Sequence, residues 1–572
     1  MAKMVTRTLE SLPSLPSKLT KSLPADIYTT SVTESSPNNL MRTPRQVFGA
    51  VYSHVLPEAA PDPTLLAVSP SACKDLDLDY QAIWKDQQES AAIFSGNKLL
   101  RETRPWSLCY AGHQFGYFAG QLGDGRAISL FETQNHQGDH WELQLKGAGR
   151  TPYSRFGDGY AVLRSSIREF LMSEYMHALG IPTTRALALV GTARNVFPQP
   201  ERGAVVTRMA PSWIRFGNFE IFYSRDDMEN VRVLADYVID HVVGEDKEDK
   251  VSTEDDNKYA RFFRNVTKRT AKTVADWQSI GFNHGVLNTD NMSILGLTMD
   301  YGPYQIMDFY DPGYICNHSD EGGRYAFHRQ PNACLFNLVK LSMSLYELIG
   351  AGKQADAIVF PTEDSKESAT DESQLEEYRK KGREFVMQVL TNEYSQHFHQ
   401  QLASKMRAKL GLVTEDEDDL ENVITPLFDW MSTFKVDYHR FYRSFSNYEL
   451  GLPAEKWADI VTDAPMMTSD CFEFLNTWLE TYHERLLKEK EHVPTRKERM
   501  DRVNPRFILR NSILEDVIRA FDQDEEEAQK KLGACLDACL DPFKEIYENK
   551  QIEDWIVSQV STTKDFRCSC SS

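Results

Sequence analysis

The chain has 572 residues and a mass of 65.5 kDa, with 41% hydrophobic and 26% charged residues. That composition excludes wholesale disorder, and that length calls for two or more lobes rather than one minimal core. With 64 Lys and Arg against 84 Asp and Glu, the formal net charge is −20, which repels phosphate backbones and argues against nucleic acid as a partner. No apolar run approaches the roughly 20 residues of a membrane helix, so no membrane insertion is expected.

Residues 1–24 hold Lys3, Arg7, Lys18 and Lys21 against one acid, Glu10, in a Ser- and Leu-rich context. This fits a mitochondrial transit peptide, with cytoplasmic residence and a plain N-terminal extension as the alternative; Pro13, Pro16 and Pro24 work against one long amphipathic helix. Residues 25–105 mix turn signals with short helical segments such as "PRQVFGAVYSHVL" (44–56). The glycine-dense "YAGHQFGYFAGQLGDGRAISLFE" (110–132) passes into an alternating strand. In "HWELQLKGAG" (140–149) Leu143 and Leu145 share one strand face while Glu142, Gln144 and Lys146 share the other. "GYAVLRSSIREFLMSEYMHALG" (159–180) repeats apolar residues at helical spacing until Gly180 stops it. "ALALVGTARNVF" (186–197) and "GAVVTRMA" (203–210) read as further strands.

After about residue 218 the pattern turns mainly helical, including "CLFNLVKLSMSLYELIG" (334–350) as an amphipathic helix. Two acidic stretches, 244–258 and 360–377, read as solvated loops or insertions. Strands first and helices afterwards give an α+β chain. The nine cysteines are too sparse for a disulfide scaffold. Cys568 and Cys570 close the chain in "RCSCSS", where two thiols suit redox chemistry or metal capture, or form an incidental exposed pair.

Four groups of residues can carry chemistry. "GQLGDGRA" places Gly120, Gly123 and Gly125 on a turn between strands, where backbone N–H groups can approach phosphates, with Arg126 as a fixed cation; a plain hairpin has the same look. Lys146 ends a strand and Glu169 lies on the next helix, the lysine–glutamate arrangement of protein kinases. Asp290-Asn291 precede the apolar "MSILGLTM", which a strand or hairpin would use to return Asp300, in Asp300-Tyr301-Gly302, close to Asn291. An amide and a carboxylate oxygen suit Mg²⁺, and the pair parallels the kinase asparagine and Asp-Phe-Gly aspartate; two ordinary turns would read alike. Finally, Arg208 and Arg215 flank a Pro211 turn that could converge them on one anion, or they are two surface arginines. The order, glycine loop, lysine, helix glutamate, Asn, then Asp-aromatic-Gly, is stronger than any one signal. No His-Arg-Asp places a base several residues before Asn291; Asp290 abuts it instead and could accept a hydroxyl proton.

Together, "YAGHQFGYFAGQLGDGRA", "ELQLKGAGRTPYSRFGDGYAVLRSSIREFLMSEYMHALGIPTTRAL", "RMAPSWIRFGNFE", "HGVLNTDNMSILGLTMDYGP" and "CNHSDEGGRYAFHRQP" resemble the selenoprotein O (SelO) family of kinase-fold protein adenylyltransferases. The resemblance runs from about "LPADIYTTS" to the last residues, and is to a cysteine-containing member of fungal, mitochondrial type. It implies a bilobal, protein-kinase-like fold. The expected division is a β-rich N-lobe over 25–217, a mainly helical C-lobe over 218–560 and a redox-active tail over 561–572.

The implied reaction is transfer of AMP from an inverted ATP to Ser, Thr or Tyr hydroxyls of target proteins, releasing pyrophosphate, with Mg²⁺ or Mn²⁺ and in a redox stress response. By resemblance, Gly123, Gly125 and Arg126 lie in the nucleotide loop, with Asp158 and Gly159 also at the nucleotide. Lys146 binds phosphate and pairs with Glu169, and Arg208 and Arg215 hold the terminal phosphates. Asn291 and Asp300 bind metal, and Asp290 accepts the proton. A Cys316–Cys570 disulfide tethering the tail is implied in the same way. The rivals are a protein kinase transferring the γ-phosphate and a non-catalytic, nucleotide-binding pseudokinase scaffold.

Overall fold

The computed structural model describes residues 6–12, 15, 17–30, 39–100, 103–197, 200–244, 257–361, 368–456, 468–489 and 492–558. Its alternating stretches become strands: β1 Tyr52–His54, β2 Thr64–Val68, β3 Trp106–Leu108, β4 Ala111–Gln114, β5 Tyr117–Gln121, β6 Ala127–Gln134, β7 His140–Lys146, β8 Ala161–Val162, β9 Arg185–Val196 and β10 Glu201–Ala210. Among the described residues, an antiparallel sheet runs β1-β3-β6-β7-β10-β9-β2, with β8 paired to β10; β4 and β5 form a separate hairpin. The short pair β11 Phe282–Asn283 and β12 Gln305–Ile306 belongs to the helical lobe.

The two faces of β7 have different fates. Leu143 and Leu145 join an apolar cluster with Ile93, Phe94, Ile128, Val205 and Met209. Glu142 and Gln144 are also buried on the opposite face, where Ser129 donates to Glu142, and Gln144 accepts from Arg208 and donates to Asp124. The predicted helix after Gly159 forms over Leu163–Ala178 and buries Ile167, Phe170, Leu171 and Met176. Gly180 (φ +73°) ends it in the left-handed region. The C-lobe clasps this helix: Arg168 Nη1 donates to Asn511 Oδ1 at 3.0 Å and Tyr175 Oη to the Phe507 carbonyl at 2.9 Å. From Phe216 onward helices dominate, so the fold is the expected α+β, bilobal, kinase-like one.

Three local expectations are corrected. "PRQVFGAVYSHVL" is an irregular segment ending in the strand Tyr52–His54, although Val47, Val51 and Val55 have helical spacing. Its backbone is taken by other segments, with Val47 N–H donating to Gln121 Oε1, Val51 N–H to the Pro24 carbonyl, and β1 pairing with β3. "MSILGLTM" is not a strand or hairpin. A 3-10 turn, Thr289–Asn291, is followed by single bridges of Ser293 to Arg215 and Thr298 to Thr183, since Ile294 and Thr298 N–H donate to the Ile214 and Pro182 carbonyls. The helix expected over 334–350 is two, Gln330–Met343 and Tyr346–Gly350; Ser344 Oγ donates to the Leu341 carbonyl at the break.

The described part of residues 1–24 packs on the N-lobe. Leu9, Leu12, Leu19 and Leu23 are buried, and Glu132 accepts Ser17 Oγ–H at 2.5 Å and Lys18 N–H at 3.1 Å. Residues 245–256 and 362–367 of the two acidic stretches, and the tail with Cys568 and Cys570, lie outside the described residues, while 372–377, expected as loop, open the helix Glu372–Val389.

Candidate active site

Lys146, at the end of β7, reaches Glu169 of the helix Leu163–Ala178 at 2.6 Å. The same glutamate accepts Arg208 from β10 at 2.8 Å. Strand register explains the convergence: Arg208 pairs with Gln144, so Arg208 and Lys146 stand on adjacent strands of the cleft face, and Gln144 Oε1 accepts from Arg208. Arg208 also stacks over the Trp213 ring, 4.4 Å from its centroid. Arg215, just before the helix Phe216–Tyr223, enters from the lobe junction and lies over the Tyr110 ring at 4.5 Å.

All three cations meet Asp300. Arg208 and Arg215 contact its two carboxylate oxygens at 2.7 and 2.8 Å, and Lys146 Nζ lies at 3.3 Å. Burial alone would raise the Asp300 carboxyl, but Lys146, Arg208 and Arg215 outweigh it and hold it well below the usual carboxylate range. Burial lowers the Lys146 ammonium, against the opposing pull of Glu169 and Asp300. Asp300 sits at φ +56°, a conformation that is uncommon outside glycine and, held by surrounding structure, concentrates at functional sites.

Asp290 has the opposite environment. Its Oδ2 accepts Gln114 Nε2–H at 3.2 Å, and its Oδ1 is buried without a hydrogen-bond partner among the described residues. Burial pushes its carboxyl up to about 7, only partly offset by Gln114 and Arg215. The β4–β5 hairpin covers it so closely that a Cβ on Gly112 would lie 2.5 Å from Asp290 Oδ1. His113 N–H donates to Thr289 Oγ1 at 2.7 Å, and Thr289 donates to Glu220 at 2.6 Å, fixing the turn. Arg215 joins the two aspartates, donating to the Asp290 backbone carbonyl at 2.8 Å as well as to the Asp300 carboxylate.

The other expected residues have these surroundings. Asn291 Nδ2 donates to the Val286 carbonyl at 3.0 Å, which fixes the amide and leaves Oδ1 to face another partner. Gly123 (φ +123°) and Gly125 pack their turn against Tyr153 and Ser154, so the turn is rigid. Arg126 acts on Lys146 through charge. Asp158 Oδ1 accepts Tyr160 N–H at 3.0 Å, and the Gly159 carbonyl accepts Gly149 N–H at 3.0 Å. Cys316 is buried beside Gly285, where a Cβ would meet its Sγ at 2.5 Å. Sequence reading missed Gln114, Asp124, Gln144 and Glu220. Asp124 lies 3.7 Å from Arg215 and accepts the Leu108 N–H at 3.0 Å; its place in "GDGR" was the one available signal.

Among the described residues no cluster of three His, Cys, Asp or Glu side chains can hold a metal by itself. The donor set instead offers one carboxylate, Asp300, and one amide oxygen, Asn291. That fits a hard cation completed by phosphate oxygens, the usual condition of Mg²⁺ in phosphoryl-transfer sites.

A strand lysine held by a helix glutamate, with an Asn and an Asp across the cleft, defines a nucleotide-using transferase on a kinase-like scaffold. The model of the family described as "Protein adenylyltransferase SelO" matches residues 40–535, and the chain belongs to that family. Proteins named "Protein nucleotidyltransferase YdiU" are similar throughout. The one from Thiobacillus denitrificans is 41% identical over 526 residues, covering 91% of this chain and 96% of that protein. Those from Myxococcus xanthus and Methylobacillus flagellatus are 40% and 39% identical, covering 92% and 88% of this chain and 96% and 90% of their own lengths.

Proposed function

We propose that this chain transfers AMP from ATP to hydroxyl groups of protein substrates and releases pyrophosphate. The observation that carries the reading is the pairing of two carboxylates: Asp300, half-buried and ringed by three cations, and Asp290, buried with an Oδ1 that has no partner among the described residues. The ring of Lys146, Arg208 and Arg215 is a ready cradle for a polyphosphate. With the β- and γ-phosphates on the buried arginines, the α-phosphorus faces outward toward Asp290. Asp290 takes the proton of the incoming Ser, Thr or Tyr hydroxyl, its oxygen bonds to the α-phosphorus, and the bond from that phosphorus to the oxygen bridging it to the β-phosphorus breaks. Pyrophosphate leaves with its charge held by Arg208, Arg215 and Lys146.

Asn291 and Asp300 would hold Mg²⁺ or Mn²⁺, which supplies charge neutralisation on the phosphates when bound. Arg126, Gly123 and Gly125 support the nucleotide from the N-lobe turn, and Asp158 and Gly159 from the adjoining loop. Glu169 fixes Lys146 and Arg208 together. Peptide mass spectrometry of target proteins incubated with ATP tests the reading: AMP adducts on hydroxyl residues with wild type and none with Asp290→Ala support it, and phosphate adducts alone contradict it.

Two further proposals accompany this reading. The Cys316–Cys570 tether would link the tail to the segment beside Gly285 and make activity redox-sensitive; non-reducing peptide mapping that finds Cys316 free after oxidation contradicts it. Mitochondrial import, against cytoplasmic residence, is tested by fractionation with N-terminal sequencing. Burial of Leu9, Leu12, Leu19 and Leu23 supports an N-terminus that stays on the folded enzyme wherever it works.

A further inference from the structure

The β4–β5 hairpin does more than cover Asp290. Gln114 and Tyr117 face each other across a two-residue turn, Phe115-Gly116, with φ of +51° and +92°. Positive φ at both positions is what a type I′ hairpin turn requires, and it is strained for a residue as bulky as phenylalanine. The strain is held by the C-lobe. Phe115 N–H donates to Tyr325 Oη at 2.9 Å, the two rings lie 5.3 Å apart, and a Cβ on Gly116 would come within 3.0 Å of the Arg324 guanidinium.

The turn displays two aromatic rings. Tyr117 is 80% exposed and Phe118 46%. The Phe118 ring meets His113 at 5.2 Å, and His113 meets Phe336 at 5.9 Å. Over Phe336 lie two cations, Arg324 at 4.6 Å and Lys340 at 5.2 Å. Among the described residues neither has a carboxylate within ion-pair distance. Asp320 spends its oxygens on the Arg324 and Tyr325 N–H groups, Glu220 serves His113 and Thr289, and Arg324 Nε is buried without a partner. In a chain of net charge −20, this is an uncompensated basic and aromatic patch, and it begins one residue from Gln114, which touches Asp290.

We infer that this patch docks the target polypeptide beside the proton acceptor, and that it selects a segment bearing carboxylates and an apolar side chain near the modified hydroxyl. The inference rests on the reading of Asp290 as the acceptor. Arg324 and Lys340 supply the charge complementarity, and the exposed Tyr117 and Phe118 rings supply apolar contact.

The test uses the full chain and two fluorescent peptides with one central Ser and one Phe, flanked by Glu and Asp or by Lys and Arg. Anisotropy titrations with a non-hydrolysable ATP should show the acidic peptide binding at least about tenfold more tightly, with a steep loss in salt. Arg324→Glu with Lys340→Glu should invert the preference, and Tyr117→Ser should weaken both peptides about threefold or more. ATP affinity should stay within about twofold in every variant, and in transfer assays the changes should fall on KM rather than kcat. Equal affinity for the two peptides, or no inversion in the double variant, overturns the inference. A dimer that Tyr117→Ser dissolves also overturns it, in favour of a second copy of the chain on the patch. Transfer of the γ-phosphate with the same acidic preference would sink AMP transfer and leave the patch standing. AMP transfer without charge preference would do the reverse.

Discussion

Two aspartates of one short stretch, Asp290 and Asp300, occupy opposite electrostatic regions of one cleft. Around Asp300 the N-lobe supplies Lys146 and Arg208 and the lobe junction supplies Arg215, so a half-buried carboxylate is held well below its usual range. Around Asp290 the hairpin and the turn supply mostly neutral groups, and burial lifts the carboxyl to about 7. Environments that push two carboxyls apart in this way assign them different work. Asp300 stays ionised and can serve a metal and the nucleotide's counter-charges, while Asp290 can take a proton near neutral pH.

The contrast is broken most severely by Asp300→Ala. Transfer should fall by about a thousandfold or more, since cation cradle and metal site are lost together. The melting temperature should drop as well, because Lys146, Arg208 and Arg215 would be left buried without Asp300. A nucleotide-transfer assay and a thermal melt check both.

Asp290→Asn should cost about 10² to 10⁴ in transfer yet raise the melting temperature at pH 8. The folded chain holds a proton on Asp290 up to about pH 7, whereas the unfolded carboxyl releases it near 4. Asp290 therefore costs stability progressively as pH rises from about 4 through 7 and carries the full penalty above. The stabilisation by Asp290→Asn should thus shrink between pH 8 and pH 5, and melts at the two values read it. Asp300 has the opposite sign: its stabilisation is present above its unfolded value and is lost as pH falls through its depressed folded value.

Lys409 gives the smallest effect and a control outside the cleft. Burial lowers its ammonium to about 7, beside the Tyr438 and Tyr442 rings. Its folded form gives up the proton that the unfolded lysine keeps, so stability should rise with pH between about 7 and 10. Lys409→Met should raise the melting temperature by a few degrees at pH 7 and leave transfer unchanged, as differential scanning calorimetry and the transfer assay would show.

Local sequence carried the parts of this site that follow periodicity. The two-residue alternation placed Lys146 on a strand, and the helical repeat placed Glu169, because each element buries one face. The stretch between Asn291 and Asp300 misled, since its apolar run looks self-pairing while its backbone is claimed by Ile214 and Pro182. Gln114 and Glu220 were not legible: their roles come from a hairpin and a helix brought over Asp290 by the lobe packing. The fate of "PRQVFGAVYSHVL" has the same cause, tertiary strand pairing overriding helical spacing.

The central claim is that the arginine cradle turns the α-phosphorus toward Asp290. Incubating the full chain and a protein substrate in parallel with ATP labelled at the α- or the γ-phosphate tests it most directly. Protein-bound label should come from the α position only and be lost in Asp290→Asn. Label from the γ position only would contradict it.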